Sequence, residues 1–145
     1  MEIRAARKAE RQACGDIYVR AGRAAFPWVD PELFQASEIA AWAEQGEELY
    51  LALEDGMPVA MMSFWRPDSF IHNLFVDPPA QGRGYGGALL AFAGAIADGP
   101  VSLKCDPLNQ AAMRFYAHRG MTEAGHGVGP QGRPYVLFRQ AALPG

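Results

Sequence analysis

Gly82, Gly84, Gly86 and Gly87 crowd into one short stretch, with Gln81 ahead of them and small and aliphatic residues from Ala88 to Ala97 behind. Glycine lets a chain turn tightly and lets its backbone approach a ligand closely. Upstream, Phe70 to Val76 is an apolar run with β-branched and aromatic residues, the pattern of a buried strand. Pro78 and Pro79 stop that strand, because proline withholds a donor and constrains its predecessor. A strand, a loop of bare N–H groups and a helix N-terminus in that order form an anion site. No Gly-Lys-Ser/Thr ending marks a P-loop. The alternation of Gly82, Gly84 and Gly86 behind Gln81 also sets the loop apart from a dinucleotide fingerprint.

Of the remaining groups, His72 has the most useful position. It lies on the strand two residues before Leu74, and alternation places it with Leu74 and opposite Asn73. A histidine tuned near neutrality serves as a base directly or through water. The alternatives are a structural hydrogen bond to a neighbouring element or contact with an acceptor. His118 has helix-surface spacing, and His126 sits in the glycine-rich stretch from Gly125 to Pro134. Three dispersed histidines and two distant cysteines give no metal-ligand spacing, so no metal is expected.

The elements that carry these groups follow from periodicity. Met1 to Ala6 reads as a short strand and Ala9 to Ala25 as a helix. Phe26 to Pro31 breaks it, with Phe26 and Trp28 either packing on the sheet or lining an acceptor pocket. Asp30 caps a second helix with Pro31 at its first position, running through Leu33, Ile39 and Trp42 to Gln45-Gly46. Glu48–Glu54 and Val59–Arg66 are strands around Asp55-Gly56, a hairpin signal. Pro67-Asp68 turns the chain into the central strand. Val101–Cys105 then returns parallel to it, because a helix intervenes. Gln110–Arg119 is a short helix closed by Gly120, and Met121–Gly125 and Tyr135–Arg139 are a last pair of strands.

With 145 residues, half of them hydrophobic, the chain fits one domain with a real core (residues 1–145). A net charge of −3 without a basic run argues against nucleic acid. Two cysteines make no disulfide scaffold. The charged start is not a signal peptide, and no stretch of about 18 apolar residues offers a membrane span. A cytoplasmic protein is expected.

Gln81-Gly82-Arg83-Gly84-Tyr85-Gly86 resembles the acetyl-coenzyme A pyrophosphate loop of the GNAT superfamily of N-acetyltransferases, Gln/Arg-x-x-Gly-x-Gly/Ala. A second stretch, Asn109 to Met121, is similar to that family's Asn-x-x-Ala-x-x-Phe-Tyr-x-x-x-Gly-Phe run, with Met121 in place of the usual Phe. The element order matches over nearly the entire chain. The resemblance implies a mixed α/β fold. It has one central, mostly antiparallel sheet of six to seven strands, about four flanking helices and a splay between strands 4 and 5.

The resemblance also implies roles. The amides of Gln81, Gly82, Arg83, Gly84, Tyr85, Gly86 and Gly87 would hold the two phosphates of acetyl-coenzyme A, with the following helix dipole helping. Arg83 would add a salt bridge to a phosphate or stay solvated. Backbone at Leu74, Phe75 and Val76 would take the pantetheine arm, and an N–H near Phe75 or Val76 would polarise the thioester. His72 resembles the His-x-Leu-x-Val arrangement of arylalkylamine acetyltransferases, while the glutamate that many members use is missing from Ser69 to Val76. Tyr116 would protonate the leaving thiolate, or else anchor its helix. Asn109 would contact the coenzyme arm or fix the loop before that helix, and Phe115 would pack the helix or border the cofactor.

The implied reaction is acetyl transfer from acetyl-coenzyme A to a primary amine by direct attack. A small-molecule amine stands slightly ahead of a protein lysine or N-terminus. Trp28, Trp65, Tyr135 and His126 are candidates for lining the acceptor pocket, which would suit a cation. Dimers are common in the superfamily. The competing account is a non-catalytic acyl-coenzyme A-binding regulatory module.

Overall fold

Glycine and proline punctuation and alternating apolar residues produce seven strands in one sheet in the computed structural model, which describes residues 1–141. In chain order the elements are β1 (Glu2–Ala5), α1 (Arg11–Ala25), α2 (Ala36–Glu44), β2 (Glu48–Glu54), β3 (Met57–Trp65) and β4 (Phe70–Val76). There follow α3 (Tyr85–Ile96), β5 (Ser102–Cys105), α4 (Gln110–His118), β6 (Met121–Val128) and β7 (Pro134–Gln140). The strand order is β1-β2-β3-β4-β5-β7-β6, and every pair is antiparallel except β4 with β5. This is the mixed sheet with four flanking helices that the sequence predicts. Among the described residues, no helix is long and apolar enough to cross a membrane.

The hairpin at Asp55-Gly56 has positive φ at both residues, 51° and 78°. That conformation matches the twist of the strands it joins. Both faces of β2 and β3 are buried. Leu49, Leu51, Leu53 and Met61 pack with Cys14, Ile17 and Tyr18 of α1 and Ile39 of α2. Ala52, Met62 and Phe64 pack on the other face with Leu89, Leu103 and Phe138. Residues two apart share a face because a strand has period two.

Four boundaries differ from the sequence reading. The expected first helix splits into a 3₁₀ turn at Lys8–Glu10 and α1. The expected second helix also divides: Asp30 does cap, accepting from the Glu32 amide, but only a 3₁₀ turn at Pro31–Leu33 follows. Phe34 leaves that turn to bury itself against α1, and α2 starts afresh with Glu38 accepting from the Gln35 amide. Helix α3 begins at Tyr85 rather than Ala88, so Gly86 and Gly87 lie in its first turn. The supposed glycine loop from Gly125 to Pro134 shrinks to a turn over residues 129–133, since the pairs Gly125↔Leu137 through Val128↔Pro134 extend the β6–β7 ladder. His126 therefore stands on an exposed edge strand.

The turn from α2 into β2 depends on Gly46, whose φ is +109°. A Cβ there would sit 3.4 Å from the Trp65 ring. A side chain in that backbone region costs roughly 1–2 kcal/mol. Gly46→Ala is therefore expected to lower unfolding stability by about that amount; an unchanged denaturant midpoint would refute it.

Candidate active site

The loop after β4 is open. Gly82 and Gly84 have φ of +81° and +88°, and no atom lies within 4 Å of where a Cβ would stand on either. Gly84 is the N-cap of α3 and supplies no side-chain cap. Among the described residues, the amides from Gly82 to Gly87 make no hydrogen bond. Six unsatisfied donors converge at the positive end of a twelve-residue helix, the physical definition of an anion cradle. The Tyr85 side chain takes no part, because it is buried and bonded to Glu54 at 3.0 Å. Arg83 is exposed. Gln81 turns back onto the Val76 carbonyl at 3.4 Å. Asp77, just before the loop, accepts from Nε and Nη2 of Arg20 of α1 at 3.0 and 2.9 Å.

Beside this cradle the sheet parts. β4 and β5 pair only at Phe70↔Ser102 and Ile71↔Leu103. From residue 73 to 76, β4 is paired to β3 on one side and to no strand on the other. Backbone polar groups are rarely left so, and a slot lined by them is ready to bond an extended ligand. Leu74 and Val76 point to the face of α3, whereas Phe75 packs against Tyr18 and Phe26 on the face of α1.

The second motif stands across the slot. The Asn109 side-chain oxygen accepts from the Ala112 amide at 3.1 Å and caps α4. Phe115 reaches α3, where a Cβ on Gly86 would lie 3.4 Å from its ring. Tyr116 is partly buried, packed against Phe115 and Phe138 with ring centroids 5.2 and 5.7 Å away. Burial, with a smaller effect from Cys105, raises its pKa above the ordinary tyrosine value. Its hydroxyl makes no hydrogen bond among the described residues.

His72 is where alternation fails. Ser63 pairs with Asn73 and Phe64 with Ile71, so His72 is the extra residue of a β-bulge. The bulge turns His72 away from the face of Leu74, contrary to the expectation from strand alternation. Its ring packs against Trp42 of α2, centroids 4.5 Å apart and tilted by 40°, and its Nδ1 lies 2.9 Å from Glu47 Oε1. Asn73 donates to the buried Ser63 hydroxyl at 2.9 Å. A glutamate thus meets His72 from the α2–β2 turn, 25 residues away in sequence.

The rim is laced by Asp106 at the end of β5. Its Oδ2 accepts from the Trp28 indole at 3.2 Å and from Arg133 at 2.6 and 3.1 Å. Nearby, Lys104 lies over the Tyr135 ring at 4.5 Å. Trp28 and Tyr135 are therefore at the end of β5. Trp65 instead packs over Gly46, and exposed His126 faces Val136 across the edge ladder. Burial works against the charge on Asp106, yet Arg133, the Leu108 amide and the Trp28 indole hold its pKa below the usual carboxylate value. Its stabilising contribution is therefore complete above the unfolded value and is lost as pH falls through the folded one. Asp106→Asn is expected to flatten that acid limb of stability and to speed amide exchange around Trp28 and Arg133. An unaltered limb would show that the clasp is energetically idle.

Three contributors escape a linear reading. Glu47 and Asp106 act across long sequence separations. Arg119 lays its guanidinium 2.5 Å from where a Gly87 Cβ would stand, placing a cation at the cradle. Only the basic last turn of α4 could have hinted at it.

A mixed sheet that parts between its two parallel strands beside an amide cradle defines an acyltransferase architecture. The chain belongs to the acetyltransferase (GNAT) family, whose family model matches residues 12–121. It is an acetyltransferase in that general sense. The fold is shared with apo YjaB of Escherichia coli, at 24% identity over 95% of this chain and 94% of that one, TM-score 0.74. It is shared also with yncA of Salmonella typhimurium, solved with its cofactor acetyl-CoA (22% identity, 100% and 98% covered, TM-score 0.66). A third is the paia N-acetyltransferase of Thermoplasma acidophilum in complex with coenzyme A (13% identity, 94% and 96% covered, TM-score 0.73). No curated protein matches the sequence.

Proposed function

We propose that the protein transfers the acetyl group of acetyl-coenzyme A to a primary amine by direct attack, with a small-molecule amine ahead of a protein amine. The observation that carries this reading is the β4–β5 ladder ending at Ile71↔Leu103 beside the unbonded amides of Gly82 to Gly87. The coenzyme-bound structures of yncA and paia support it. The residues present fit the group: a cradle of donors for a diphosphate, and an unpaired strand edge for an extended arm.

Acetyl-coenzyme A supplies an activated acetyl thioester. The amides from Gly82 to Gly87 hold its diphosphate, the expected Gln81 amide being taken instead by the Pro78 carbonyl at 3.3 Å, and Arg119 and Arg83 add positive charge. The open edge of β4 at Leu74, Phe75 and Val76 bonds the arm and aims an N–H at the thioester carbonyl. Phe115 borders the arm, and Asn109 holds the start of α4. His72 takes a proton from the amine nitrogen as that nitrogen bonds to the acetyl carbon. Tyr116 gives a proton to the sulfur as the carbon–sulfur bond breaks. The aromatic surface of Trp42, Phe26 and Trp28 on the His72 side favours a cationic acceptor.

An amine panel assayed for free thiol tests this directly. Thiol release with at least one amine, and binding of coenzyme A but not ATP or NAD, are expected. Tight coenzyme binding without turnover across the panel would favour the regulatory module. Absence of coenzyme binding would end both accounts.

A further inference from the structure

We propose that Glu47 is a positioning residue that fixes His72 in the tautomer able to take a proton from the amine, an inference resting on the base role given to His72 above. Glu47 follows Gly46, and its amide donates to the Trp42 carbonyl at 3.1 Å, so the turn is tied to the end of α2. The same Trp42 packs against the imidazole at a 40° tilt, and Phe70 approaches it at 6.4 Å. The carboxylate is nine-tenths buried, with Oε1 on His72 Nδ1 and Oε2 buried without a hydrogen-bond partner among the described residues.

A carboxylate buried with one oxygen unsatisfied works against folding. Its contact with His72 gives it a use. A carboxylate is acceptor-only, so Nδ1 must carry the hydrogen, and Nε2 is left with its lone pair. A neutral imidazole in water favours the opposite tautomer. The bulge and the turn therefore combine to hold the ring by Nδ1 and by its face. Other charged groups nearby are Arg11 of α1 and Glu48 of β2, which line one cavity with Glu47, and Lys104 of β5, whose Nζ lies 5.9 Å over the Phe70 ring. Nε2 then accepts the amine proton, and the imidazolium formed stays paired with Glu47 until it passes the proton to water.

The test combines nitrogen-15 histidine spectra with steady-state kinetics on the full chain. Wild type should show His72, assigned by its loss in H72Q, with the proton on Nδ1. E47A should move that proton to Nε2 and lower kcat by about 30-fold, less than the roughly 100-fold or more that a proton-transferring group itself contributes, because Glu47 acts only by positioning. The KM for acetyl-coenzyme A should stay within about twofold. E47Q keeps an acceptor oxygen and should keep the tautomer and about a third of kcat. E47A placed on H72Q should remove little further activity, because the two act as one unit. An unchanged tautomer and kcat in E47A, or a full additional loss on H72Q, would overturn the proposal. If E47A fails to fold, wild type and E47Q decide it: Nε2–H in both would overturn it. A wild type that turns over no amine sinks the proposed function, while the spectra still judge Glu47.

Discussion

Tyr116→Phe is expected to lower kcat by about 100-fold or more, the lower end for loss of a positioned proton donor, with the fold intact. The aromatic contacts to Phe115 and Phe138 need only the ring, and the hydroxyl bonds to no described residue, so the substitution removes chemistry and leaves packing. The KM for acetyl-coenzyme A should change by no more than about threefold, because a donor used late in the reaction contributes little to ground-state binding. Because burial raises the Tyr116 pKa above its ordinary value, the proton stays in place throughout the neutral range. The wild-type rate should therefore show no alkaline fall from this group below about pH 10. Unchanged kcat would remove Tyr116 from the mechanism. A large drop in thermal stability would assign it to anchoring α4 instead.

Gly84→Val should act on the cofactor rather than on the proton. A β-branched residue at φ +88° costs roughly 1–2 kcal/mol of backbone strain. It also disturbs the amides that α3 presents to an anion. Hydrogen bonds to charged groups are each worth about 1.5–3 kcal/mol, so loss of one raises the dissociation constant for coenzyme A by roughly 10- to 100-fold. Calorimetric titration with coenzyme A checks this independently of turnover. Since nothing lies within 4 Å of the Gly84 Cβ position, core packing gives no competing reason for the loss. Near-normal binding would move the phosphate site elsewhere.

The fold was legible because its signals are local. Asp55-Gly56, Pro78-Pro79, Gly120 and the apolar run of β2 each specify a turn, an end or a buried strand within a few residues. Spacing alone was weaker for the glycine loop. Gly82, Gly84 and Gly87 also fit the Gly-x-Gly-x-x-Gly of dinucleotide folds. What separates the two is the approach to β4 through successive antiparallel strands rather than a parallel crossover. The orientation of His72 was illegible for a physical reason. A bulge inserts one residue into a ladder and breaks period two, and no proline or glycine in Phe70 to Val76 announces it. Glu47 and Asp106 stayed hidden because their partners are brought near only by tertiary folding.

The two rungs between β4 and β5 join what are otherwise two half-sheets, β1 to β4 and β5 to β7. Each half is a contiguous segment held by antiparallel neighbours, and that narrow seam is the main-chain pairing that joins them, beside the α3 crossover and the side-chain core they share. Local opening follows the weakest contiguous boundary. The seam should therefore unzip before either half frays, and the amides of Ile71 and of Ser102, which donates to the Ser69 carbonyl at 3.0 Å, should exchange faster than those in the middle of β2, a hinge at the very place where the molecule must admit its guest.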